Sequence, residues 1–341
     1  MSFSNFRTTR RRFLGSLGAA IGFLGLPSLA ISEQPKRIAL VMVGSIADGG
    51  WNQLAYQGLV DLKGQSGFKT AYVENLTQAR IPEVVRGYAD DGFDLIIGHG
   101  YEFGAAFVEI APEYPDQSFF ATTFQSDTSP LPNLQFADMA YTVVAYAAGA
   151  LAALASQEKF AVGFVGGGDN PTQQAMNRAF ISGAEATVPG IKGLGIVTGD
   201  YNNPAKGKEA ALTMIGNGAD VIWHAADVTG LGVLQGAASR GARVIGCYAN
   251  QTALAPANMV SSFLMNLHWM VTSLGHSVAD GSFAGGTEWA PSVEEAWTPV
   301  FGEGDDIKDL NTELLDEASA VQFRQIFSDL AAGRILTDTF Q

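Results

Sequence analysis

Cysteine is almost absent from this 341-residue chain: Cys247 stands alone, which excludes an intramolecular disulfide framework and any cysteine-rich zinc site. Histidine is scarce as well. His99, His224, His268 and His276 stand far apart or eight residues apart, not at the i, i+4 spacing that sets two ligands on one helical face, so no metal is expected. Positive charge is short: 20 Lys and Arg oppose 34 Asp and Glu, for a formal net charge of −14. Affinity for nucleic acid comes largely from Lys and Arg displacing counterions, so nucleic acid is excluded as the main partner. Charge of either sign makes up only 16% of the chain against 47% hydrophobic residues, which is too apolar for a disordered polymer. At ~100–200 residues per domain, the length allows about two domains.

Several catalytic and cofactor signatures are missing too. The first apolar segment runs into Gly44-Ser45-Ile46-Ala47-Asp48-Gly49-Gly50, which lacks the G-x-G-x-x-G spacing of a dinucleotide site. Gly98-His99-Gly100 and Gly166-Gly167-Gly168 read as tight turns after strands. No G-x-S-x-G elbow is present, and although His224 and Asp227 can be pictured as a base and its orienter, no nucleophile accompanies them. An exported hydrolase is therefore the weaker alternative, and no cofactor is expected.

What is present begins with an address. Thr9-Arg10-Arg11-Arg12-Phe13-Leu14 puts an arginine run before a weakly apolar, uncharged stretch to Ile31, with four glycines and with Pro27 near its end. The pattern predicts a twin-arginine-type signal peptide over residues 1–30, the bacterial route for proteins exported already folded. No cysteine lies near the expected cleavage point, so the protein is expected to be soluble and periplasmic rather than a lipoprotein.

Beyond the leader, short apolar runs alternate with helical stretches. Strands are predicted at 37–43, 69–73, 95–97 and 118–122, separated by helices of ten or so residues. A second series starts after the small-residue helix 141–154, with strands at 160–165, 193–197, 220–224 and 243–247. Alternation of this kind implies βαβ units and parallel sheets covered on both faces. The class is α/β, with two doubly wound parallel-sheet lobes. The first lobe is expected to hold 36–137 plus about 259–290, and the second 138–258 plus about 291–341.

In doubly wound sheets, ligands bind outside the carboxyl ends of the strands. The residues just past those ends are Asp48, Trp51 and Asn52; His99 and Tyr101; Phe124; Asn170 and Asn177; Tyr201; Trp223, His224 and Asp227; and Tyr248 and Asn250. Rich in aromatics and amides and poor in cations, this set favours a flat neutral ligand over a polyanion. Trp51 and Trp223 each follow a strand, one in each half, so lobe closure is expected to bring them to opposite faces of one planar ligand.

The segment from Gly44 to Gly58 (GSIADGGWNQLAYQG) resembles the first-strand loop of the basic membrane protein family, the purine-nucleoside-type substrate-binding proteins of ABC importers. Asp200–Ala211 (DYNNPAKGKEAA) and Gly218–Val233 (GADVIWHAADVTGLGV) are similar to its second-lobe segments. The resemblance spans essentially the whole chain after the leader. It implies a type I periplasmic-binding-protein fold with two lobes on a hinge of three crossovers, no catalysis, and an ABC permease as partner, so that the membrane is met only through that permease. It also implies aromatic stackers at Trp51 and Trp223 and polar contacts at Asp48 and Asn52. The chain departs from the family at two ribose-binding positions, with Gly246-Cys247-Tyr248 in place of a Gly-Val-Asp-like turn and Met265 in place of a lysine. A free purine base is then as plausible a ligand as a nucleoside. A sugar or signalling-molecule receptor of the same fold is the other reading.

Overall fold

In strand β1 (Lys36–Met42), the side chains alternate between two separate cores. Ile38, Leu40 and Met42 enter one apolar cluster, while Ala39 and Val41 enter another on the opposite face of the sheet. That period of two, with both faces apolar, is what a parallel strand covered by helices requires. The protein is described here by a computed structural model covering residues 34–122 and 131–340. The expected leader lies outside the described residues, as does Phe124.

The chain continues through α1 (Trp51–Lys63), β2 (Phe68–Val73), α2 (Ile81–Asp90), β3 (Leu95–His99), α3 (Gly104–Ile110), β4 (Ser118–Thr122) and β5 (Leu134–Ala137). It then enters α4 (Tyr141–Ala155), β6 (Ala161–Gly166), α5 (Pro171–Thr187), β7 (Lys192–Val197), α6 (Pro204–Gly216), β8 (Ala219–Ala225), α7 (Asp227–Ala238), β9 (Arg243–Tyr248) and β10 (Met259–Met265). Helix α8 (Leu267–Asp280), β11 (Glu288–Trp289), α9 (Val293–Ala296), β12 (Trp297–Val300) and α10 (Glu317–Ala331) complete it.

These strands form two six-stranded sheets, ordered β11-β5-β4-β3-β1-β2 and β12-β10-β9-β8-β6-β7. All pairs are parallel except β10 with β12. Leaving aside β11 and β12, both sheets follow the same doubly wound order. Each reverses direction beside its first strand, between β1 and β3 and between β6 and β8, and ligands of such sheets bind at that point. Both lobes belong to one compact unit, Pro35–Gln341.

The chain passes between the sheets after β5, after β10 and after β11. The expected boundary near residue 259 is corrected by this topology: Met259–Met265 pairs with β9 in the second sheet, and the chain returns to the first lobe only with α8, which packs on α1. A buried apolar strand carries no mark of which sheet it joins, because that depends on long-range pairing. Trp297 pins one crossover to the second lobe by donating from Nε1 to the Met139 carbonyl oxygen at 2.6 Å.

Helix α4 is almost wholly buried and packs against α5. The contact depends on two glycines. A Cβ at Gly149 would sit 2.0 Å from the Phe180 carbonyl oxygen, and one at Gly183 would sit 2.1 Å from that of Tyr146. Gly149→Val should therefore push two backbones apart and cost about 3 kcal/mol, the upper end of the usual range for overpacking. A urea-unfolding midpoint matching wild type would show that the helices have room the structure does not display.

Candidate functional site: the interlobe cleft

The carboxyl ends of β1 and β3 face those of β6, β8 and β9 across a cleft that both lobes line. On the first-lobe wall, the loop after β1 is organised by Asp48. Its carboxylate accepts from the backbone N–H groups of Gly50 (2.9 Å), Asn52 (2.7 Å) and Gln53 (3.1 Å), and from Asn52 Nδ2 (2.8 Å). Asp48 thus satisfies three of the N–H groups around the start of α1. The last of these bonds also fixes the Asn52 amide, leaving Asn52 Oδ1 buried with no protein partner on the cavity wall.

Trp51 stacks on His99 with ring centroids 4.3 Å apart and planes 19° apart, and meets Tyr248 edge-on at 5.4 Å. His99 is held on both sides, with Nε2 3.2 Å from the Trp51 carbonyl oxygen and Nδ1 3.2 Å from Thr122 Oγ1. Complete burial pushes its pKa down to about 3, so the ring is neutral and Nε2–H donates. His99 serves as the platform behind the indole.

From the second lobe come Tyr141 at the start of α4, Asn170 and Gln173 around the start of α5, Tyr201 after β7, Asp227 at the start of α7 and Tyr248 at the end of β9. The glycine run after β6 holds an aromatic ring rather than a phosphate. A Cβ at Gly167 would lie 2.1 Å from the Tyr201 ring, whose hydroxyl accepts from Asn170 Nδ2 at 3.1 Å. Gln173 Oε1 and the Tyr141 hydroxyl oxygen are buried without protein partners. Ala140, Asp227 and Tyr248 have φ of +53°, +47° and +70°. This left-handed backbone costs roughly 1–2 kcal/mol for a non-glycine residue. It sits at two residues of the cleft wall and one immediately before a third.

The electrostatics of the wall are one-sided. Among the described residues that line the cavity there is no Lys or Arg, whereas Glu102 and Asp227 bring carboxylates from opposite lobes. Burial raises the Asp227 carboxyl well above the ordinary range, and the nearby Asp48 and Glu102 raise it further. Burial also raises Glu102.

Of the residues expected from sequence, Asp48, Trp51, Asn52, His99, Tyr101, Asn170, Tyr201, Asp227 and Tyr248 line this cleft. Four others do not. Trp223 is fully buried in the second-lobe core, 5.9 Å from Phe180 in a stacked pair and 5.2 Å from Phe164. The expected Trp51–Trp223 sandwich is corrected accordingly, because Trp223 lies two residues short of the strand end and points to the interior face. His224 is also buried, with Nε2 2.9 Å from Gln251 Oε1. Asn250 is exposed and donates to the Gly302 carbonyl oxygen at 2.8 Å, and Asn177 packs beneath Gly195 of β7. Sequence reasoning did not single out Glu102, Tyr141 or Gln173. For Glu102 the signal was its place directly after Tyr101, whereas Tyr141 follows a crossover whose course is not written locally.

His224 makes a testable contribution to stability. Burial lowers its pKa to about 4 from an ordinary 6.5. Such a group contributes fully above pH 6.5, and its contribution is lost as pH falls from 6.5 to 4, where only the unfolded chain takes up the proton. The slope is at most about 1.4 kcal/mol per pH unit. His224→Gln should flatten the decline of the unfolding free energy across that window. Parallel pH curves for variant and wild type would contradict this assignment.

Two parallel-sheet lobes with their strand ends facing a shared aromatic cleft define a two-lobed solute-binding protein. The profile of the family described as "ABC transporter substrate-binding protein PnrA-like" matches residues 35–323, and the chain belongs to that family. It is 26% identical over 234 residues to basic membrane protein A1 of Borrelia garinii, covering 68% of each chain. Among solved structures it is similar to an ABC transporter solute-binding protein of Aeropyrum pernix K1, with a TM-score of 0.76, 19% identity, and coverage of 89% of this chain and 93% of that one. It is also similar to one from Conexibacter woesei, with a TM-score of 0.68, 23% identity, and coverage of 89% and 99%. The family is one of substrate-binding proteins rather than enzymes, and it implies a transported ligand and a permease partner. Among the described residues, no helix is long and apolar enough to cross a membrane.

Proposed function

We propose that this protein is the periplasmic receptor of an ABC importer and binds a purine base or purine nucleoside between its lobes. The observation that carries the reading is Trp51, an indole held against the cleft wall by the neutral His99 ring, with the unpartnered Asn52 Oδ1 one residue away. A stacked planar ring with N–H groups at its edge satisfies both features. Tyr141, Tyr201 and Tyr248 add aromatic surface from the other lobe. Closure of the lobes on the ligand is the signal the permease reads, as in other hinged receptors. A sugar is the second reading, favoured by the Glu102 and Asp227 carboxylates, which suit hydroxyl donors.

Mass spectrometry of the small molecule released when the purified protein is denatured distinguishes the two. A purine is the expected result, and a released hexose or pentose would overturn the reading. Export rests on the Arg10-Arg11 pair ahead of the weakly apolar stretch. Replacing both with Lys should leave the precursor in the cytoplasm, whereas undiminished export of that variant would contradict the twin-arginine route.

A further inference from the structure

Two buried amide oxygens on the cleft wall, one from each lobe, have no protein partner. Asn52 is about 3% exposed, and its amide nitrogen is committed to Asp48, so the atom it can offer a ligand is Oδ1. Gln173, about 4% exposed, has its Oε1 unpartnered on the facing lobe. Glu102 and Asp227 add carboxyl oxygens from the two lobes, where burial favours the neutral form, and no Lys or Arg stands with them among the described lining residues. The remaining polar groups include tyrosine hydroxyls, which can turn to donate or accept. A ligand oxygen placed against either amide oxygen meets lone pairs and leaves that buried acceptor unpaired.

We propose that the cleft selects its solute for hydrogen-bond donors, taking a neutral or cationic amino-substituted purine and rejecting oxo-purines and phosphorylated nucleotides. The inference rests on the purine reading above and adds Glu102 and Asp227 as its specificity-determining residues. Asp227 sits in a left-handed backbone position (φ +47°), one that asparagine tolerates about as readily as aspartate, so Asp227→Asn tests the carboxyl group without adding backbone strain.

The test is calorimetric titration of the purified protein, freed of bound solute by unfolding and refolding, with 2,6-diaminopurine, adenine, xanthine and adenosine monophosphate. Diaminopurine and xanthine share a ring and nearly a shape, but carry donors and acceptors respectively at positions 2 and 6. Diaminopurine and adenine should bind at least about tenfold more tightly than xanthine, and the nucleotide should bind more weakly still. Glu102→Gln and Asp227→Asn, each putting an amide NH2 in place of a carboxyl oxygen, should narrow the diaminopurine-to-xanthine ratio. Xanthine binding as tightly as diaminopurine, or a ratio unchanged in both variants, overturns donor selection and leaves the purine reading standing. Binding by none of the purines overturns the ligand class, and donor selection falls with it.

Discussion

Trp51→Ala should weaken ligand binding by about 2–4 kcal/mol, a factor of roughly 30–1,000, while the fold persists. The indole is the largest side chain on the first-lobe wall, and its position is fixed by the 4.3 Å stack on His99 and the 5.4 Å edge contact with Tyr248. His99 is itself pinned by Thr122 and the Trp51 carbonyl, so the loss of the side chain is not repaired by a neighbour moving in. Trp51→Phe should recover part of the loss, because a smaller ring still stacks. Calorimetry with the ligand identified by mass spectrometry checks this. An alanine variant within about threefold of wild type would show that the stacking surface lies elsewhere.

Trp223→Ala should do the opposite. The side chain is fully buried among Phe164, Phe180 and Phe263, so truncation opens a large cavity in the second-lobe core at a cost of about 3–5 kcal/mol of stability. The fraction that remains folded should bind ligand as wild type does, since Trp223 does not line the cleft. Chemical denaturation and calorimetry on the same preparation separate the two effects. Lost affinity at unchanged stability would return Trp223 to the site.

The contrast between these two tryptophans shows what local sequence can convey. Both stand near the end of an apolar run, and the run alone does not say where pairing stops. Trp51 follows β1 by nine residues and opens α1, whereas Trp223 is still inside β8, where alternation with Ile222 assigns it to the core. The doubly wound order was readable because apolar runs alternating with helices allow few topologies. The place of β10 was not, because its partner β9 and its antiparallel neighbour β12 are chosen by long-range packing. Asp227 and Tyr248 could be placed past strand ends from sequence, but their left-handed backbone, and the placing of Asp227 and Glu102 from opposite lobes on one cleft, exist only in the folded chain.

The interlobe cleft is proposed as a purine-binding receptor site. Its most direct test is isothermal titration of the solute-free protein with adenine, guanine, hypoxanthine and their nucleosides, alongside glucose, galactose and ribose. Saturable one-to-one binding of at least one purine, abolished or strongly weakened in Trp51→Ala, is the result predicted here. Saturable binding of a sugar, with no heat from any purine, would contradict it.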